Sequence, residues 1–283
     1  MDALRPLVQP ITRNLPAPLR NLGVSIIGEH CYQTLLLDVH LDDVECLKLG
    51  ISKGLGIGII AASSVVKVPQ ILKLVHSQSA EGISFLAYLL ETSAYLITLA
   101  YNVRNGFPFS TFGETVLILG QNVIISVLVL NYTGRSSVAA VLLAVLFGSA
   151  AVLFSQSFLD MRTLSFLQAG AGLLGVASKL PQILAIYQQG GTGQLSAFAV
   201  FNYLAGSLSR IFTTLQEVDD KLILYGFISG FVLNAVLAMQ MVYYWNIPST
   251  QAPGKVRESA VQEKAKGSAT SMSTKSPTTR RRG

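Results

Sequence analysis

Between Ser136 and Leu159 the chain runs without a single Asp, Glu, Lys or Arg, and between Leu222 and Gly254 it does so again. An α-helix needs about 20 mostly apolar residues to cross the hydrocarbon core of a bilayer, where each backbone amide must be satisfied within its own segment. Such stretches fit no ordinary soluble domain. Of the 283 residues, 51% are hydrophobic and 13% charged, against roughly 25% charged in a typical globular domain. Mean hydropathy is +0.50. Seven membrane spans are predicted, at about 54–74, 83–103, 114–132, 138–158, 163–187, 196–216 and 222–245. No secretory signal is expected, because Leu22–Ile27 is shorter than a signal core and arginines are scattered ahead of it.

The spans are duplicated. Lys67-Val68-Pro69-Gln70-Ile71-Leu72 returns as Lys179-Leu180-Pro181-Gln182-Ile183-Leu184, and the offset from 69 to 181 also pairs Gly58 with Gly170, Ser84 with Ser196, Asn122 with Asn234 and Tyr132 with Tyr244. Each copy sets a proline inside an apolar stretch, where it removes a backbone donor and bends the helix. The carbonyls four residues earlier, Val65 and Ala177, lose their helical donor, and Gln70 and Gln182 are placed to help them or to face a polar cavity. Small residues precede each proline: Gly54, Gly56, Gly58, Ala61 and Ala62, then Gly170, Gly172, Gly175 and Ala177. They allow close helix approach. Related kinks in two halves suit a rocking transporter, and a fixed kink serving static packing is the plainer alternative.

Ionisable residues inside such spans face protein or a wet cavity, as structural ion pairs or along a transport path. Glu91 and Arg210 lie about 10 Å inside their helices at 1.5 Å per residue, while Glu114 and Glu217 lie near helix ends. Lys67 and Lys179, two residues before each proline, either snorkel to the headgroups or meet an anion. Glu91 has Tyr203 as its repeat mate. Asn122 and Asn234, on the third helix of each half, either bridge helices or contact a sugar hydroxyl. The candidate site is therefore the kinks Pro69, Gln70, Pro181 and Gln182, the substrate or phosphate contacts Lys67, Lys179, Arg210, Asn122 and Asn234, and the acids Glu91, Glu114 and Glu217. No nucleophile–base pair, phosphate-binding loop or metal cluster stands out, so an enzyme ranks below a transporter or accessory membrane protein, and no cofactor is expected.

His30, His40 and His76 read as surface residues. For Cys31 and Cys46, a disulfide and two free thiols both stay open. Residues 29–46, with Tyr32, Leu35, Leu36, Val39 and Val44 among acids, suggest a short interfacial amphipathic helix. From Pro248 the composition turns to Ser, Thr, Lys and Pro, which predicts a disordered basic tail. The net charge of +6 lies largely in that tail, so nucleic-acid binding is not indicated. An odd number of spans with a basic C-terminal tail predicts a cytoplasmic C-terminus and a luminal or exoplasmic N-terminus.

The duplicated Pro-Gln helices within a seven-span pattern resemble the PQ-loop superfamily, which includes the SWEET sugar carriers and cystinosin. Within it the chain resembles a branch serving dolichol-phosphate sugars. That likeness rests on Ser52-Lys53-Gly54-Leu55-Gly56, Lys67-Val68-Pro69-Gln70, Ser79-Ala80-Glu81-Gly82, Phe107-Pro108-Phe109-Ser110, Thr192-Gly193-Gln194-Leu195-Ser196-Ala197, Ser207 with Arg210-Ile211-Phe212-Thr213, and Tyr244-Trp245-Asn246. It covers roughly residues 29–247. The resemblance implies an all-α membrane protein whose seven transmembrane helices form two triple-helix bundles, as parallel repeats, joined by an inverting linker helix. The boundaries that follow are a luminal segment 1–46, bundles 47–132 and 161–247, a linker 133–160 and a cytoplasmic tail 248–283. It also implies the endoplasmic reticulum membrane, and a role in the use of dolichol-phosphate-mannose and dolichol-phosphate-glucose for N-glycans and glycosylphosphatidylinositol anchors. Membrane lipids and luminal glycosyltransferases are the other expected partners. Sugar carriers of the superfamily place an Asn on the third helix of each bundle, as Asn122 and Asn234 do, and a Trp on the second, which this chain lacks; its one Trp is Trp245.

Overall fold

The computed structural model describes residues 9–10, 12–40, 42–81, 83–189, 191 and 197–245, and among them there is helix and no strand. The basic tail 248–283 lies outside the described residues, as do Gly82 and Asn246. The first element, α1 (Ala17–Tyr32), is interrupted at Gly28, whose φ of 81° suits glycine, and a π-helical turn, Gln33–Leu37, follows it. The helix expected over 29–46 is thus displaced toward the N-terminus. Its last residues instead begin α2 (Val44–Ser63), because the Asp43 side chain accepts the Cys46 N–H and starts a new helix there.

The first half continues with α3 (Val68–Ser77), α4 (Phe85–Arg104) and α5 (Phe109–Tyr132), and α6 (Ser136–Phe154) lies against α4 and α5. The second half comprises α7 (Met161–Ala177), α8 (Leu180–Gln189), α9 (Ala197–Glu217) and α10 (Lys221–Tyr243). Among the described residues, five stretches are long and apolar enough to cross a membrane: Val44–Ser77, Phe109–Tyr132, Ser136–Phe154, Met161–Gln188 and Lys221–Tyr243. The other two expected spans, α4 and α9, carry Glu91 and Arg210. They are also the helices that join the halves, since α4 packs on α7 and α9 on α2 and α5. The duplication exchanges α2 with α7 and α4 with α9, so α2–α9 and α4–α7 are equivalent interfaces.

Burial is inverted relative to a soluble protein. Phe147, Phe158, Leu173 and Tyr243 are exposed on the outside, while Ser52, Thr92, Gln121, Asn122, Ser126, Thr213, Thr214 and Asn234 are buried. An apolar exterior facing lipid and an interior of polar bridges is the arrangement a bilayer favours.

Each proline starts a helix and does not bend a continuous one. The chain leaves α2 at Ser63 and re-enters helix at Val68, placing Pro69 in the first turn of α3, where its missing N–H costs nothing. In the second half the break falls between Ala177 and Leu180, and Pro181 again lies in the opening turn. The Val65 carbonyl is not orphaned: it accepts the Val68 N–H at 3.2 Å. The break is held by Gln121 of α5, whose Oε1 accepts the Lys67 N–H at 2.8 Å and whose Nε2 donates to the Ser63 carbonyl at 2.9 Å. Gln70 accepts from the Tyr88 hydroxyl at 2.6 Å, so it leaves the broken ladder to Gln121. Of the small residues upstream, Gly56 alone is at a close approach: a Cβ there would lie 2.5 Å from the Ser110 carbonyl, whereas Gly54, Gly58, Gly170, Gly172 and Gly175 have open space.

Candidate functional site

The middle of α2, the start of α5 and the end of α9 converge. Glu217, 2% exposed, accepts from Ser52 Oγ at 2.5 Å, Lys53 Nζ at 2.6 Å and Ser110 Oγ at 2.6 Å. Lys53 also donates to Ser110 Oγ at 3.0 Å. Two turns back along α9, Arg210 pairs with Glu114 and donates from Nη1 to the Ser110 carbonyl at 3.2 Å. Arg210 and Glu114 are both buried and form a structural pair bridging α9 to α5. Glu217 is not a solvated helix end. Burial of two such pairs is costly unless geometry and hydrogen bonds are complete, and Glu217 comes close to that condition. Arg210 does not, since its Nε has no hydrogen-bond partner.

The equivalent interface, α4 on α7, has none of this. The offset puts Leu164 in the place of Ser52, Ser165 in that of Lys53, Leu222 in that of Ser110, and Asn105 in that of Glu217. Leu164 is fully buried among Leu96, Ala100, Tyr101 and Leu153, with Leu222 packed against them. Ser165 and Asn105 turn to carbonyls of their own helices, Met161 and Tyr101. One junction between the halves is ionic; the other is largely apolar, with the Tyr101 hydroxyl donating to the Asp220 carboxylate at 2.6 Å.

The two lysines at the helix breaks point inward and do not snorkel. Lys67 Nζ lies 2.8 and 2.9 Å from the Glu91 carboxylate and 4.9 Å from the Tyr88 ring centre. Lys179 donates to Asn234 and sits 5.9 Å from the centre of the Tyr203 ring. The substitution of Tyr203 for Glu91 thus replaces an ion pair by a cation–π contact. Asn234 also donates to the Tyr203 carbonyl and to Ser207 Oγ, both at 3.1 Å, and is a helix bridge. Asn122 differs: it is 0% exposed, and neither its Oδ1 nor its Nδ2 has a partner, nor does Ser126 Oγ one turn on. A buried amide and hydroxyl left open in one half only are groups able to receive a polar ligand or water. Gln182, in α8, is exposed.

Sequence reasoning missed Ser52, Lys53, Ser110 and Gln121. The first three lie just before the spans predicted at 54–74 and 114–132, where polar residues read as solvated. Their signal was the apolar identity of the repeat mates Leu164 and Leu222.

The PQ loop repeat matches the chain twice, over residues 51–111 and 163–223, separated by the same offset as the two prolines. The duplicated all-α fold with paired helix breaks is consistent with a PQ-loop membrane protein. The chain is also distantly similar to solute carrier family 66 member 3 of Homo sapiens, with 29% identity over 206 residues, spanning 71% of this chain and 96% of that protein. No solved structure matches it.

Proposed function

We propose that this protein enables dolichol-phosphate-mannose and dolichol-phosphate-glucose to serve as sugar donors on the luminal face of the endoplasmic reticulum, for N-glycan and glycosylphosphatidylinositol assembly, by flipping, presenting or organising the lipid-linked sugar. In this reading the N-terminus is luminal and the C-terminus cytoplasmic. The observation that carries it is a convergence. Three segments that resemble the mannose-P-dolichol utilization defect 1 protein, those containing Ser52-Lys53, Ser110 and Arg210, meet in one buried network. Lys67 and Lys179, at the two helix breaks, supply cationic groups for a phosphate while the polyprenyl chain stays in the bilayer. Asn122, with its open amide, faces the sugar. The test is the lipid-linked oligosaccharide profile of cells lacking the protein: truncation before the luminal mannose and glucose additions is expected, and normal elongation would overturn the reading.

A second reading, a carrier of a soluble sugar or amino acid, is favoured by the similarity to a protein named a solute carrier and by the Lys67–Glu91 pair, an intramembrane acid suited to proton coupling. Saturable uptake of a free solute into liposomes, lost in Glu91→Gln, selects it. A scaffold for glycosyltransferases is the third, selected by full complementation after both Pro69 and Pro181 are changed to Ala.

A further inference from the structure

The network above leaves unused a cluster at the N-terminal edge of the bundle. Cys31, in the last turn of α1, is disulfide-bonded to Cys46, in the first turn of α2. His30, read from sequence as a plain surface residue, has Nδ1 3.5 Å from Cys46 Sγ. The imidazole nitrogen and the two sulfurs all lie within 4.8 Å of one another. In tetrahedral zinc sites, with Zn–S about 2.3 Å and Zn–N about 2.0–2.1 Å, neighbouring donor atoms are roughly 3.5–3.8 Å apart. The His30–Cys46 separation already fits. Only the two sulfurs, bonded in the oxidised form, must part.

The surroundings permit that parting. Cys46 is buried and fixed, its N–H held by Asp43 at the start of a 20-residue helix. Cys31 is partly exposed and hangs from the short stretch beyond the break at Gly28. His30 is exposed and precedes it.

We propose that this corner is a redox-gated zinc site: oxidised, it staples α1 to α2; reduced, Cys31, Cys46 and His30 hold a zinc ion. A dithiol reductant attacks the Cys31–Cys46 bond through a mixed disulfide and leaves as its own cyclic disulfide, delivering two electrons and two protons and yielding two thiols. Zinc then binds both sulfurs as thiolates and the neutral imidazole, releasing the two thiol protons, with water in the fourth position. The redox state of the compartment that α1 faces therefore selects between a covalent and a metal-held junction.

The test uses the full-length protein in detergent micelles, reduced with a phosphine that is then removed, and titrated with Co²⁺ followed by Zn²⁺. Reduced wild type is expected to develop a thiolate-to-cobalt charge-transfer band that saturates at one metal per chain and is abolished by zinc. Oxidised protein should give no band. His30→Gln, which keeps both cysteines, should lower zinc affinity about tenfold or more. In the same samples zinc should protect both cysteines from maleimide in the wild type and not in His30→Gln. Absence of the band in reduced wild type, or unchanged affinity in His30→Gln, would overturn the proposal.

Discussion

Replacing Glu217 by Ala tests the ionic junction most directly. The carboxylate is 2% exposed and accepts from three side chains, so its removal strands Lys53 with one serine and leaves the fully buried Ser52 hydroxyl without its acceptor. Breaking a buried pair by removing one partner costs about 3–5 kcal/mol. Lys53 keeps 16% of its side chain exposed, and the water it reaches places the cost near the lower end, at about 3 kcal/mol. On the scaling for chains of 150–250 residues, about 2–4 °C per kcal/mol, apparent melting in detergent should fall by roughly 6–12 °C. The double change Lys53→Leu with Glu217→Leu removes both charges together and leaves neither buried alone, so it should melt within a few degrees of wild type. Apparent melting is read by the temperature at which the monodisperse peak is lost in size exclusion. A single mutant that melts like wild type, or a double mutant no better than Glu217→Ala, would refute the assignment of Glu217 as a charge-compensated clamp.

Gln121→Leu leaves the Lys67 N–H unpaired and the Ser63 carbonyl with only the Val66 N–H at 3.4 Å, and should cost about 1–3 kcal/mol by the same melting assay, more than Gln70→Leu, which loses only the Tyr88 contact. Asn234→Leu should destabilise by a similar amount because three partners are stranded, whereas Asn122→Leu, with no partners to strand, should melt at or above wild type and yet fail to complement null cells. Gly56→Ala should lower melting while Gly58→Ala does not, since only the former drives a Cβ into the Ser110 carbonyl.

Charge-free length and the repeat offset made the helical architecture legible, because bilayer thickness leaves few ways to arrange such stretches. The position of each break was less so. Pro69 announced a discontinuity, but the residue that holds it open, Gln121, lies in an apolar run next to Asn122 and has Leu233 as its repeat mate, so duplication pointed past it. Lys67 and Lys179 were found by their place before the prolines, yet their partners were not. Glu91 looked unpaired because its repeat mate is Tyr203, whereas its partner comes from the helix break of its own half. Side-chain pairing across helices depends on rotational setting, which hydropathy does not encode.

The unequal junctions bear on ancestry and assembly. Two identical halves would form two identical seams, and here the positions of Ser52, Lys53, Ser110 and Glu217 have diverged to Leu164, Ser165, Leu222 and Asn105. A dimer of the first half alone would set Lys53 and Ser52 against Asn105, with no carboxylate to receive them, and a dimer of the second would bring Glu217 against Leu164 and Ser165. Neither half can therefore stand in for the other. The two have become obligate, non-interchangeable partners, so that when expressed as separate chains they should pair with each other and not with themselves.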